Sequence, residues 1–130
     1  MTSDRFDGRP PLDVFFRPRS VAVIGATERA GSVGRAILTN LMQTSFGGSL
    51  HAVNPKRATI LGLPCFPDVA HVKEHIDLAI IVTPAPTVLD VVRQCANAGV
   101  QAAIIITAGF RETGEAGAKM ERDILREARL

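Results

Sequence analysis

Residues 20–34 read Ser20-Val21-Ala22-Val23-Ile24-Gly25-Ala26-Thr27-Glu28-Arg29-Ala30-Gly31-Ser32-Val33-Gly34. The first five are β-branched or small and nearly all apolar, and the run stops at a glycine. Such a run suits a strand buried on both faces, as in parallel sheets. After the glycine-rich stretch, Val33, Ile37 and Leu41 recur at i, i+4 and i+8, with Gly34, Leu38 and Met42 alongside, which predicts a helix with one wide apolar stripe. Strand, glycine loop and helix in that order suit a bound phosphate, because a helix start offers free N–H groups and a positive dipole end. Gly25 permits the tight turn out of the strand. Gly31 and Gly34 are expected to let loop and helix come close, and Thr27 and Ser32 to add hydroxyl donors, with Ala26 and Val33 completing the loop. The nicotinamide fingerprint G-x-G-x-x-G is not met, since Thr27 stands where its second Gly belongs, and no Gly-Lys-Ser/Thr follows as in a Walker loop.

The same rhythm runs on along the chain. Residues 49–53 predict a second strand, stopped by Asn54-Pro55. Residues 60–66 form a short extended piece, and Asp68 caps one or two helical turns through Lys73. Residues 76–83 hold a third strand, ended by Pro84 and Pro86. Val88, Val91, Val92 and Cys95 mark the next helix, closed by Gly99. Residues 100–107 predict a fourth strand centred on Ile104-Ile105-Ile106. A loop over residues 109–117 precedes a last helix carrying Met120, Ile124 and Ala128. At the other end, residues 1–11 read as a mobile lead-in, and Leu12-Asp13-Val14-Phe15-Phe16 as a helical turn opening a domain over residues 12–130. Buried strands alternating with amphipathic helices mean an α/β fold, a doubly wound parallel sheet with helices on both faces. Ligands of such sheets sit at the carboxyl ends of the strands, near the switch point.

The composition narrows the classes of function. A chain of 130 residues is one domain's worth, with 46% apolar and 22% charged residues, too apolar for disorder as its main state. No apolar run approaches the twenty residues of a membrane span, and the N-terminus lacks a signal-peptide stretch. A net charge of +2 is too balanced for general nucleic-acid binding, and the absence of Trp and Tyr leaves no aromatic stacking platform. Cys65 and Cys95 make no disulfide framework, so the chain reads as cytoplasmic.

The loop after the second strand carries the sharpest chemical signal. A fold that binds NAD normally ends this strand in Asp or Glu, which holds the ribose diol. Here it ends Val53-Asn54-Pro55-Lys56-Arg57, two cations and no carboxylate. That charge favours a ribose bearing a phosphate, as in coenzyme A or NADP, and does not separate the two; a solvated Lys-Arg pair in a turn is the plainer alternative. Thr83-Pro84-Ala85-Pro86 is expected to form a rigid wall against adenine or pantetheine. Thr107-Ala108-Gly109-Phe110 offers small groups and close backbone approach.

Other signals lead away from catalysis. His71-Val72-Lys73-Glu74-His75 matches the H-x-x-E-H zinc pattern, but as a short polar connector it is expected to be solvated surface holding no metal. His51, inside a strand, is expected to be a packed or edge histidine. Neither cysteine has a base beside it, and no Ser/His/Asp or paired-carboxylate arrangement stands out.

Taken in order, Ser20-Val21-Ala22-Val23-Ile24-Gly25-Ala26, Gly31-Ser32-Val33-Gly34, Val53-Asn54-Pro55-Lys56, Leu61-Gly62-Leu63-Pro64-Cys65-Phe66, Thr83-Pro84-Ala85-Pro86, Ala98-Gly99-Val100 and Thr107-Ala108-Gly109-Phe110 resemble the opening of the NDP-forming acyl-CoA synthetases. These include the ADP-forming acetate–CoA ligases and succinyl-CoA synthetase alpha subunits. The resemblance covers about residues 12–130 and implies a Rossmann-like, three-layer α/β/α CoA-binding N-terminal domain. It implies that residues 27–34 receive CoA phosphates and that Lys56 pairs with one of them. It also implies that Thr83, Pro84, Ala85, Thr107, Ala108 and Gly109 line the nucleotide and pantetheine path. The implied reaction converts acyl-CoA, phosphate and ADP to acid, CoA and ATP through a phosphohistidine, in partnership with further domains or subunits. The loop at residues 27–31 departs from the Thr-Gly-x-x-Gly pattern of the succinyl enzymes and looks closer to the acetate type. The family's phosphohistidine belongs to a following domain, so none of His51, His71 or His75 is assigned a catalytic role. A further strand normally follows the last helix, so the domain is expected to be truncated at its C-terminal end. The alternatives are a stand-alone CoA-binding or acyl-CoA-sensing module, such as the regulatory part of a protein acetyltransferase, and an NADP-binding oxidoreductase domain.

Overall fold

The computed structural model describes residues 17–44 and 47–106. The expected lead-in, the turn at residues 12–16, the site residues Thr107, Ala108 and Gly109, and the last helix all lie outside them. Strand β1 spans Ser20–Ile24, helix α1 Val33–Gln43, β2 Ser49–Val53, β3 Thr59–Ile60, β4 Leu63–Phe66, β5 Leu78–Ile81, helix α2 Ala85–Asn97 and β6 Ala102–Ile105. The sheet runs β3-β4-β2-β1-β5-β6. Every pairing is parallel except β3 with β4.

The apolar run that opened the sequence is the centre of this sheet. All five residues of β1 are buried, in register with Ser49 through Val53 on one side and with Leu78 through Ile81 on the other. Alternation sends its side chains to opposite faces. Val23 packs with Leu38 of α1, Ala52 and Ile60. Ala22 and Ile24 pack with Val53, Ala79 and Ile81 under Val88, Val91, Val92 and Cys95 of α2. Both faces of β1 are therefore covered, as the central strand of a parallel sheet requires.

Three expectations change in detail. The extended piece at residues 60–66 is an antiparallel hairpin, turned by Leu61 at φ +50° and Gly62 at φ +83°. Two positive φ values mark the turn that fits the natural strand twist. The helical turns expected after Asp68 shorten to one 3-10 turn at Val69–His71, capped by the Asp68 carboxylate. Pro84 and Pro86 do not merely end the third strand: α2 begins at Ala85 with Pro84 as its N-cap and Pro86 in the first turn, where a missing N–H is harmless.

The amino ends of β1 and β5 are locked by buried polar groups. Ser20 Oγ donates to the His75 carbonyl (2.6 Å) and accepts from Asp77 N–H (2.9 Å). The Asp77 carboxylate accepts from Arg19 N–H (2.8 Å). Ser20 is 2% and Asp77 3% exposed, so removing a partner leaves a polar group stranded away from water. Ser20→Ala is expected to lower unfolding stability by about 2 kcal/mol with an unchanged urea m-value, and Ser49→Ala, at the more open start of β2, by much less.

Candidate functional site

The sheet's switch point lies between β1 and β5. Helix α1 carries the chain from β1 to β2 on one side, and β5 then pairs on the other. The loops leaving these strands are bound to one another. Gly25 and Ala26 N–H both donate to the Val53 carbonyl (2.9 and 3.3 Å), Val82 N–H to Ile24 (2.9 Å) and Asn54 N–H to Phe66 (2.9 Å). Gly25 has φ +95°, and a Cβ there would lie 3.1 Å from Thr83 N, Thr83 Cγ2 and the Val82 carbonyl carbon. A Cβ on Gly34 would lie 3.0 Å from the Gly25 carbonyl oxygen and 3.2 Å from Thr27 Cγ2. Two glycines thus bring loop, helix and neighbouring strand together. Gly31 does not share this role: a Cβ would meet nothing within 4 Å, and its glycine serves a positive φ of +79°.

The loop is held by its own hydrogen bonds. Ser32 caps α1, accepting from Arg35 N–H (3.2 Å) while its hydroxyl donates to the Arg29 carbonyl (2.7 Å). The Ser32 proton is therefore used inside the loop. Thr27 Oγ1 accepts from Arg29 N–H (3.1 Å) and keeps its own proton to donate. Among the described residues no acceptor takes the N–H groups of Val33 and Gly34, and the first turn of α1 carries no acid. Those amides and the positive helix end suit an anion.

Asn54 ties the second loop to the first. Its Nδ2 donates to the Ala26 carbonyl (2.8 Å), and its Oδ1 accepts from Lys56 N–H (2.8 Å). Both ends of the amide serve the scaffold. Arg57 N–H closes a turn on the Asn54 carbonyl (3.4 Å) with Pro55 inside it. Lys56 is exposed and makes no ion pair among the described residues. Arg57 has one, with Nη1 3.7 Å from Glu28 Oε1. The other Glu28 oxygen accepts from Leu61 N–H at the tip of the hairpin, and the Glu28 carbonyl accepts from Arg35 Nη1 (2.7 Å). Arg35 and Leu61 are absent from the sites read in the sequence, Glu28 has no separate role in them, and Arg57 counts there only as one of two cations. An acid in a phosphate-type loop, needing a compensating partner, was the available signal for Glu28.

At the third loop Thr83 packs against Gly25, Pro84 is exposed, and Ala85 is buried as the first residue of α2. Thr83 and Pro84 can therefore line a ligand path; the buried Ala85 supports the loop from beneath. The H-x-x-E-H residues diverge. His71 pairs with Asp68 (2.7 Å), Glu74 with His51 (2.7 Å) and Ser49 (2.9 Å), and His75 lies 3.7 Å from Asp77. Among the described residues no three such groups gather as for a metal. Hydrogen bonds from His51 and Ser49 hold the Glu74 carboxyl below its usual range. His51 meets Phe66 edge-on at 6.2 Å, packed as expected of it. Burial pushes the Cys95 thiol up to about 11 and raises Cys65 as well, which disfavours the thiolate at both.

The three glycines should rank by what surrounds them. Gly25→Ala combines a forbidden φ with backbone contacts and is expected to prevent stable folding. Gly34→Ala presses on a carbonyl and is expected to lower the melting temperature clearly. Gly31→Ala, in open space, is expected to cost only about 1–2 kcal/mol of backbone strain. Thermal unfolding of the three variants checks the order.

The family model described as "CoA binding domain" matches residues 19–129. Acetate–CoA ligase [ADP-forming] I of Archaeoglobus fulgidus is 46% identical over 117 residues, covering 90% of this chain and 17% of that protein. Subunit alpha of acetate–CoA ligase [ADP-forming] I of Pyrococcus furiosus is 37% identical over 122 residues, covering 91% of this chain and 26% of the subunit. The solved apo structure of dinucleotide-forming acetyl-coenzyme A synthetase 1 from Ca. Korarchaeum cryptofilum superposes with a TM-score of 0.85 at 36% identity, covering 91% of this chain and 25% of that one. The chain thus spans about a quarter or less of the length of these relatives. No described helix is long and apolar enough to cross a membrane. A Rossmann-like sheet, a glycine loop at its switch point and a family match across most of the sequence agree: this chain belongs to the CoA-binding domain family.

Proposed function

We propose that the chain binds CoA or acyl-CoA at the carboxyl ends of β1, β2 and β5, as the CoA-binding part of an ADP-forming acyl-CoA synthetase of the acetate–CoA ligase type. The observation that carries this reading is a cation, Lys56, free of any acid among the described residues, where an NAD-binding fold needs a carboxylate. The N–H groups of Val33 and Gly34 and the hydroxyl of Thr27 receive phosphate oxygens at the start of α1. Asn54 and Pro55 hold the turn that presents Lys56 to the phosphate on the ribose. Thr83 and Pro84 line the path of the nucleotide and pantetheine, continued by Thr107, Ala108 and Gly109.

The role of these residues in the whole reaction is to bind and orient. They fix the nucleotide end of CoA, so that its thiol or thioester reaches a reacting centre supplied by other domains or subunits. There acyl-CoA, phosphate and ADP become acid, CoA and ATP through a phosphohistidine. The relatives' greater length supports this division of labour, since the chain matches 17% of one ligase and 26% of another's alpha subunit.

Calorimetry with CoA, dephospho-CoA, NADPH and NADH tests the reading. CoA is expected to bind most tightly, and Lys56→Ala to reduce the preference for CoA over dephospho-CoA by about tenfold or more, the size of one lost charge-assisted hydrogen bond. Binding of NADPH with none of CoA contradicts it.

A further inference from the structure

A carboxylate in a phosphate-binding loop is at first sight misplaced, because it repels the anion that the loop attracts. Glu28 stands in that position, between Thr27 and Arg29, and its two oxygens have separate partners. Oε2 accepts from the N–H of Leu61. That residue has φ +50° in a turn that favours Asn or Gly, and its side chain packs with the Val23, Leu38 and Ile60 core. This oxygen therefore has a fixed place in the fold. Oε1 lies 3.7 Å from Arg57 Nη1, too far for a hydrogen bond, with the two side chains 38% and 53% exposed. So open an ion pair is weak and easily exchanged. Arg57 directly follows Lys56, the proposed phosphate cation, and its backbone is fixed by the Asn54 turn.

We propose that Glu28 is the resident counter-anion of Arg57, and that the phosphate on a ligand's ribose displaces it. Oε1 lies beside the Arg57 guanidinium, as its nearest anion among the described residues. When a phosphorylated ribose arrives, Arg57 exchanges one anion for the other and joins Lys56, while Oε2 stays on Leu61. Glu28 thereby sets how strongly the site prefers a phosphorylated ribose over a plain one. This rests on the proposed reading of the site, and deepens it by naming a residue that tunes its specificity.

The experiment compares the intact chain with Glu28→Gln, Arg57→Ala and the double variant, each titrated with CoA and dephospho-CoA. Glutamine keeps an acceptor for Leu61 N–H and removes only the charge. The preference for CoA is expected to rise about twofold to fivefold in Glu28→Gln, the worth of an exposed ion pair released. It is expected to fall in Arg57→Ala, and Glu28→Gln should change nothing further in that background. An unchanged or lowered preference in Glu28→Gln overturns the proposal, as does an equal rise without Arg57. Hydrogen exchange at the Leu61 amide checks the anchor separately: protection should survive in Glu28→Gln and be lost in Glu28→Ala. Should the chain bind NADPH instead of CoA, the CoA reading fails, and the same four proteins titrated with NADPH and NADH decide the role of Glu28. Binding of neither pair overturns both.

Discussion

At Gly25 three pieces of backbone meet with no room for a side chain. Its amide and that of Ala26 share the Val53 carbonyl, its Cα faces Thr83 of the β5 exit, and its own carbonyl lies against Gly34 of α1. The central strand, its neighbours on both sides and the first helix are all positioned from this point. The fully buried β1 can end there only because the next residue tolerates φ +95°. The open amides at the start of α1 are brought to the strand ends by the same contact. A larger residue at either glycine would push helix and loop apart and disperse the donors that suit a phosphate.

The two ends of the sheet carry different chemistry. At the amino ends, polar and acidic groups work for stability: Ser20 and Asp77 join β1 to β5, and Glu74 joins Ser49 and His51 of β2. The Glu74 carboxyl is held below its ordinary 4.5, so its contribution is present above that pH and is lost as the pH falls through the lowered value. At the carboxyl ends the acid is Glu28, placed between Leu61 and Arg57, and Lys56 makes no ion pair among the described residues. The polar ties at the amino ends do not involve Lys56, so changing Lys56 should leave the core intact.

Much of this was legible in the sequence because it follows from local rules. The buried run at residues 20–24 and the helix stripe of Ile37, Leu38 and Leu41 are short-range patterns with one structural meaning. What escaped depended on distant partners. Leu61 gave no turn signal, because leucine is held at φ +50° only by Glu28 and by a core assembled from β1, β2 and α1. Pro86 read as a strand terminator because proline also starts helices, and only the packing of Ala85 and Val88 under the sheet decides between the two. Gly31 and Gly34 look alike in sequence, yet one serves a φ angle and the other a close contact. The Asn54 amide is used twice by the scaffold, through Ala26 and Lys56, partners that the sequence order does not disclose.

On the proposed reading, one end of the sheet, built around Gly25, Gly34 and Lys56, receives a phosphorylated nucleotide. An amide-resolved NMR titration of the chain with CoA tests it most directly. The expected result is that the largest shifts fall on residues 27–34, on Lys56 and Arg57, and on Thr83, with Ser20, Ser49, Glu74 and Asp77 unmoved. Shifts concentrated at those four residues, or none along the glycine loop, would contradict it.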